Sequence, residues 1–62
     1  MMSKIHKIRL ARKMTQQELA DAAGVSRTGL SLIENGVVIP KIETVKKIAA
    51  ALNVEWKLLF EE

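Results

Sequence analysis

Sixty-two residues with a net charge of +3, one His and no Cys make a single small domain over residues 1–62, because a chain this short buries only roughly 60% of the surface its unfolded form exposes. The lack of cysteine excludes a disulfide framework and a thiolate metal site and suits a reducing compartment, and His6 cannot make a metal site alone, so no metal and no cofactor are expected. No segment approaches the roughly 18 apolar residues that span a bilayer, and the start Met-Met-Ser-Lys-Ile-His-Lys has no signal-peptide core, which predicts a cytoplasmic protein without membrane contact.

The first predicted helix covers residues 3–13, where Ile5, Ile8, Arg9 and Arg12 share one face and Ser3 is a candidate cap. It carries half of the ten Lys and Arg residues and no acid. Lys4, Lys7, Arg9, Arg12, Lys13 and Arg27 stand against Glu18 and Asp21 up to residue 31, whereas Lys41, Lys46, Lys47 and Lys57 face Glu34, Glu43, Glu55, Glu61 and Glu62 beyond it. A polyanion suits that distribution, although a charge run is more often a solvated face.

Thr15 and Glu18 form the pattern of a capping box, in which hydroxyl and carboxylate each satisfy an orphan amide, so a second helix is predicted over Gln16–Ala23. Leu19, Ala20 and Ala23 make its inner face. Gly24 suits a left-handed stop, Val25 plugs the angle between helices, and Ser26 caps a third helix over residues 27–35 that buries Leu30 and Ile33. Two short amphipathic helices joined by so tight a turn are a helix-turn-helix, which holds the exposed face of its second helix where it can enter the major groove of DNA. After a turn over residues 37–40, Val45, Ile48, Ala49 and Leu52 repeat the helical spacing, and Trp56, Leu59 and Phe60 predict a short fifth helix closing the core. The expected fold is all-α: five short helices around one core, with no strand.

Two charges occupy positions where the periodicity expects apolar side chains. Arg9 follows Ile8, and Glu34 follows Ile33. A lone charge there is costly, whereas Arg can offer a carboxylate a bidentate fork, so a structural ion pair between Arg9 and Glu34 is predicted; the alternative is that both reach water along their stems.

Thr15-Gln-x-Glu-Leu-Ala, Gly24-Val-Ser-Arg, Leu30-Ser-x-Ile-Glu-Asn-Gly36, Pro40, Glu43-Thr-x-x-x-Ile-Ala and the tail over residues 54–60 together resemble the Cro and phage-repressor type, or XRE-type, helix-turn-helix family. The likeness runs from about residue 5 to residue 60. It implies a lambda-repressor-like five-helix domain that binds operator DNA as a symmetric dimer and regulates transcription, most often as a repressor. On that resemblance the DNA-binding set is Gln16, Arg27, Thr28, Gly29, Ser31, Leu32 and Asn35, with Gln16 gripping a phosphate from the start of its helix; Gln17 beside it and Lys41, through its charge, complete the candidates. Asn35 resembles the residue whose backbone meets a phosphate, and the Arg9 and Glu34 pair has a counterpart in the family.

Arg27 can donate two hydrogen bonds to guanine, or else hold a phosphate, and the Thr28 hydroxyl and methyl suit several bases. Leu32 either touches a thymine methyl or sits at the edge of the core. Gly29 weakens an exposed helix by roughly 1 kcal/mol relative to Ala, and close approach to DNA is the expected reason for it. Several positions depart from the family pattern. The apolar run Val37-Val38-Ile39 replaces the usual basic loop, Lys41 and Glu55 stand where small hydroxyl caps are common, and Leu58 replaces a polar residue. The apolar excess of Trp56, Leu58 and Phe60 predicts a homodimer through that end, the alternative being a monomer in which they complete the core.

Catalysis is set aside, since the chain has one His, no Cys and no Tyr and lacks a glycine-rich phosphate loop. The main rival to a nucleoid-associated regulator is a protein-interaction module of antitoxin or anti-repressor type, with Val37 and Val38 as its contact. A membrane-surface role for the first helix ranks last, because the core already requires Ile5 and Ile8.

Overall fold

Four α-helices, α1 (Ser3–Ala11), α2 (Gln16–Ala23), α3 (Arg27–Glu34) and α4 (Ile42–Leu52), precede a 3-10 helix, Trp56–Phe60. This is a computed structural model, and it describes residues 3–60 apart from the side chain of Ser3. No strand occurs among the described residues. The expected fifth helix is therefore a 3-10 turn. The segment closes with the tighter bond from Leu58 N–H to the Glu55 carbonyl at 3.1 Å.

The four α-helices stop in one manner. Beyond each lies a residue with positive φ, namely Lys13 (57°), Gly24 (72°), Gly36 (76°) and Asn53 (59°), which turns the chain so that following amides reach back to unpaired carbonyls. Met14 N–H bonds the Arg9 carbonyl at 3.1 Å, Val25 bonds Ala20 at 3.0 Å, Val37 bonds Leu32 at 2.9 Å and Val54 bonds Ala49 at 3.0 Å. Lys13 is thus the stop signal of α1 rather than its last residue, and the helix ends at Ala11. Asn35 likewise caps α3 from outside. Ser3 is the first residue of α1, and its side chain lies outside the described residues, as does the cap expected of it.

The core is apolar and drawn from every element: Ile5 from α1, Leu19, Ala20 and Ala23 from α2, Leu30 and Ile33 from α3, Val45, Ile48, Ala49 and Leu52 from α4, and Leu59 from the 3-10 helix. Ile8, Met14, Val25 and Trp56 pack against it half-buried. Helix α2 is central, touching both α3 and α4, while α1 packs on α3 and α4 and the 3-10 helix packs on α4. Phe60 does not complete this core, being 47% exposed.

Candidate nucleic-acid interface

The two helices of the motif are fixed at both ends by the chemistry expected of their sequence. Thr15 Oγ1 accepts from Glu18 N–H at 3.0 Å while Thr15 N–H donates to Glu18 Oε1 at 2.8 Å, so α2 starts with a complete capping box. Ser26 Oγ accepts from Gly29 N–H at 2.9 Å and starts α3 three residues after α2 has stopped. Between them Gly24 takes φ 72° and ψ 32°, and Val25 fills the angle against the core. The small Ala20, fully buried, lets α2 approach its neighbours closely.

With Leu30, Ile33 and Glu34 turned inward, α3 leaves Arg27 and Thr28 exposed and Ser31 partly so. Leu32 is 37% exposed, at the edge of that face. Asn35 is exposed and its Nδ2 donates weakly to Ser31 Oγ at 3.4 Å. A Cβ on Gly29 would stand 2.9 Å from the capping Ser26 Oγ. The helix start therefore supplies its own reason for glycine at position 29, in addition to any approach by DNA.

Arg9 and Glu34 are each only 6% exposed and face one another. Arg9 Nε donates to Glu34 Oε2 at 2.8 Å and Nη2 to Oε1 at 3.1 Å, a two-pronged contact, and Nη1 donates to the Met14 carbonyl at 2.8 Å. The two charges are paired, as their sequence positions suggest. The structure adds partners that the sequence gave no means to find: His6 Nδ1 lies 3.0 Å from Glu34 Oε1, and Gln16 Nε2 donates to the same oxygen at 3.3 Å. Burial pushes the Glu34 carboxyl up, but the hydrogen bonds from Arg9, His6 and Gln16 and the Arg9 charge outweigh it and hold Glu34 below the ordinary carboxylate value. Among the described residues no buried side-chain N or O atom lacks a partner.

Gln16 also joins this cluster to the exposed face. Its Oε1 lies 3.5 Å from Arg27 Nη1, so the first residues of α2 and α3 meet beside the buried pair. Gln17 is exposed and donates to Asp21 Oδ1 at 2.9 Å along its own helix. Lys41 is exposed before α4 and makes no capping bond there. Val37, Val38 and Ile39 are exposed by 69%, 42% and 87%, so the apolar replacement of a basic loop does face solvent.

Among the described residues no group of three or more His, Cys, Asp or Glu is placed to hold a metal ion, and no helix is long and apolar enough to cross a membrane. The arrangement offers instead an exposed polar helix face flanked by donors, which suits hydrogen bonding to an extended polar ligand.

A family model described as helix-turn-helix matches residues 5–59. Over 58 residues the chain is 40% identical to the uncharacterized HTH-type transcriptional regulator YqaF of Bacillus subtilis (strain 168), covering 94% of this chain and 76% of that one. It is 45% identical over 51 residues to the HTH-type transcriptional repressor RghR of the same organism, covering 81% of this chain but only 38% of RghR. Among solved structures, the N-terminal DNA-binding domain of SinR from Bacillus subtilis superposes with a TM-score of 0.88 at 33% identity, covering 95% of this chain and 87% of that one. A SinR protein/SinI protein complex superposes with a TM-score of 0.93 at 33% identity, covering all of this chain and 62% of the other.

Proposed function

Because the chain belongs to the helix-turn-helix family, we propose that it is a sequence-specific double-stranded DNA-binding regulator of transcription, acting as a repressor. The outward face of α3 beside Gln16 carries this reading. It presents Arg27 and Thr28 to solvent at the capped start of a helix whose opposite face is locked into the core. A helix so held can lie in the major groove, where base edges differ in donor and acceptor pattern.

Arg27 and Thr28 read bases in this account, with Gly29, Ser31 and Leu32 lining the groove. Gln16, Gln17, Lys41 and the Asn35 backbone meet phosphates, which set register without reading sequence. A homodimer through Trp56, Leu58 and Phe60 places two α3 helices about 34 Å apart on a palindromic site. Such a protein works in the cytoplasm, on the nucleoid.

Selection of bound sites from random duplexes tests the whole account, and an enriched palindrome is the expected result. Repeating the selection with Arg27→Ala should relax one position per half-site, a loss of about 1–3 kcal/mol of discrimination. Recovery of no preferred site by the unaltered chain would refute sequence-specific binding. An unaltered preference in the variant would move Arg27 to a phosphate.

The exposed residues 37–39 favour a second reading, a module of antitoxin or anti-repressor type that binds a protein through Val37 and Val38. Salt separates the two. Affinity for DNA falls steeply as salt rises, because phosphate contacts release counterions, whereas an apolar protein contact is far less sensitive.

A further inference from the structure

The Glu34 carboxylate has more donors than one of its oxygens can serve. Oε2 receives Arg9 Nε alone, while Oε1 is approached by His6 Nδ1 at 3.0 Å, Arg9 Nη2 at 3.1 Å and Gln16 Nε2 at 3.3 Å. A carboxylate oxygen offers about two lone-pair sites. Three groups therefore compete for two places, and His6 decides among them. Its Nδ1 also lies 3.1 Å from Arg9 Nη2, and one ring nitrogen cannot donate to Glu34 and accept from Arg9 at once.

A neutral imidazole with its hydrogen on Nε2 can accept from Arg9 Nη2, which relieves Oε1 and leaves room there for Gln16. A charged imidazole carries hydrogens on both nitrogens, so Nδ1 must donate to Oε1 and can accept nothing from Arg9. Two cationic donors then fill Oε1. Gln16, the neutral donor at the longest distance, is displaced. The same amide's Oε1 lies 3.5 Å from Arg27 Nη1, so an amide that leaves Glu34 can turn away from Arg27 as well.

We propose that His6 is a positioning residue for DNA binding, whose protonation takes over Glu34 Oε1 and frees the Gln16 amide and the Arg27 guanidinium for the duplex. The consequence for DNA rests on the function proposed above, but the exchange at Glu34 does not. The ring faces Glu34 of α3 and Arg9 of its own helix, with Gln16 of α2 as the uncharged competitor, and among the described residues no other carboxylate pairs with it. Its side chain is 49% exposed, so protons reach it from water. Glu34 is held below the ordinary carboxylate value by the same donors.

The exchange is tested by NMR on the free protein, following the His6 ring and the Gln16 side-chain amide across about pH 5–8. The two curves should share a midpoint, and the Gln16 curve should be flat in His6→Gln. A flat Gln16 curve in the unaltered chain overturns the proposal whatever happens with DNA. At constant salt, affinity for a selected duplex should rise about threefold to tenfold from pH 8 to about pH 5.5, a change the size of one hydrogen bond. The rise should vanish in both His6→Gln and Gln16→Ala. If it persists in Gln16→Ala, the imidazolium acts as a plain charge on phosphate and the positioning role is refuted. A chain that retains no duplex at any pH refutes the DNA function, and the Gln16 curve alone then decides the exchange.

Discussion

The two ends of the described chain are fastened by opposite means. Helix α1 is tied to α3 through Arg9, Glu34 and the Met14 carbonyl, a set of directional bonds in which each buried polar atom has a partner. The 3-10 helix is held on α4 by the fully buried Leu59 and by Trp56, whose ring lies 5.1 Å from Lys46 Nζ and 5.9 Å from Lys57 Nζ and meets the edge of Phe60 at 5.9 Å. Directional bonds fix an angle and are complete within one chain. Apolar and stacking contacts fix a position but leave Leu58 and Phe60 exposed by 38% and 47%. The amino-terminal end ties α1 to α3, and the carboxy-terminal end carries the apolar surface on which the proposed dimer rests.

The sharpest way to break this contrast is to orphan one charge. Glu34→Leu leaves the Arg9 guanidinium buried without its carboxylate and should cost about 3–5 kcal/mol of unfolding free energy, a large part of what a domain this small possesses. Arg9→Met combined with Glu34→Leu should recover most of that loss, because an apolar pair needs no partner. Denaturant unfolding of the two variants checks both outcomes, and strictly additive losses would rule out the pair as a coupled unit.

Acid should loosen the same end. The Glu34 carboxyl is held below its ordinary value of 4.5 in the folded chain, so its contribution is complete above that value and is lost as pH falls through the lower folded value. Unfolding curves taken downward from about pH 5 should therefore show a destabilisation that the double variant lacks. If both fall equally, other carboxylates carry the acid sensitivity.

At the open end a charge should leave the fold intact and remove the assembly. Leu58→Glu places a carboxylate on an exposed position, so helicity and melting should change little, while sedimentation should shift toward the 6.9 kDa monomer. Affinity for a palindromic duplex should fall about a hundredfold, because two linked half-sites become two separate binding events. An unaltered chain that already sediments only as the 6.9 kDa species would dispose of the proposed dimer, and an unaltered dimer in the variant would place its surface elsewhere.

These two ends also differ in how far the sequence disclosed them. Arg9 and Glu34 were legible because a charge in an apolar helical position must find a partner, and the caps at Thr15 and Ser26 were legible because local spacing encodes them. His6 and Gln16 were not visible as partners of Glu34, since both lie on helices far from it in sequence and nothing in their own spacing points inward. The end of α1 was misplaced for a related reason. Lys13 takes the left-handed conformation that Gly24, Gly36 and Asn53 take elsewhere, but lysine carries no local preference for it; the Met14 that follows packs on the core and bonds Arg9 through both its N–H and its carbonyl. The 3-10 form of the last described segment left no mark in the sequence, because the spacing of Trp56, Leu59 and Phe60 fits either helix type.

The start of α4 supplies the smallest of these effects and separates stability from binding. Thr15 and Ser26 cap α2 and α3 through their side chains, but Lys41 offers α4 no side-chain bond and sets a positive charge beside the positive end of the helix dipole. Lys41→Ser should therefore stabilise the fold by about 1 kcal/mol, since a hydroxyl satisfies one orphan amide and an unfavourable charge is removed. If Lys41 meets a phosphate, the same change should weaken every duplex about equally and reduce the salt slope by about 1. A more stable protein that binds less tightly is the expected combination, because it identifies a residue retained for its charge at the expense of its helix. Greater stability with unaltered binding and salt dependence would remove Lys41 from the interface and leave Gln16, Gln17 and the Asn35 backbone as the proposed phosphate contacts.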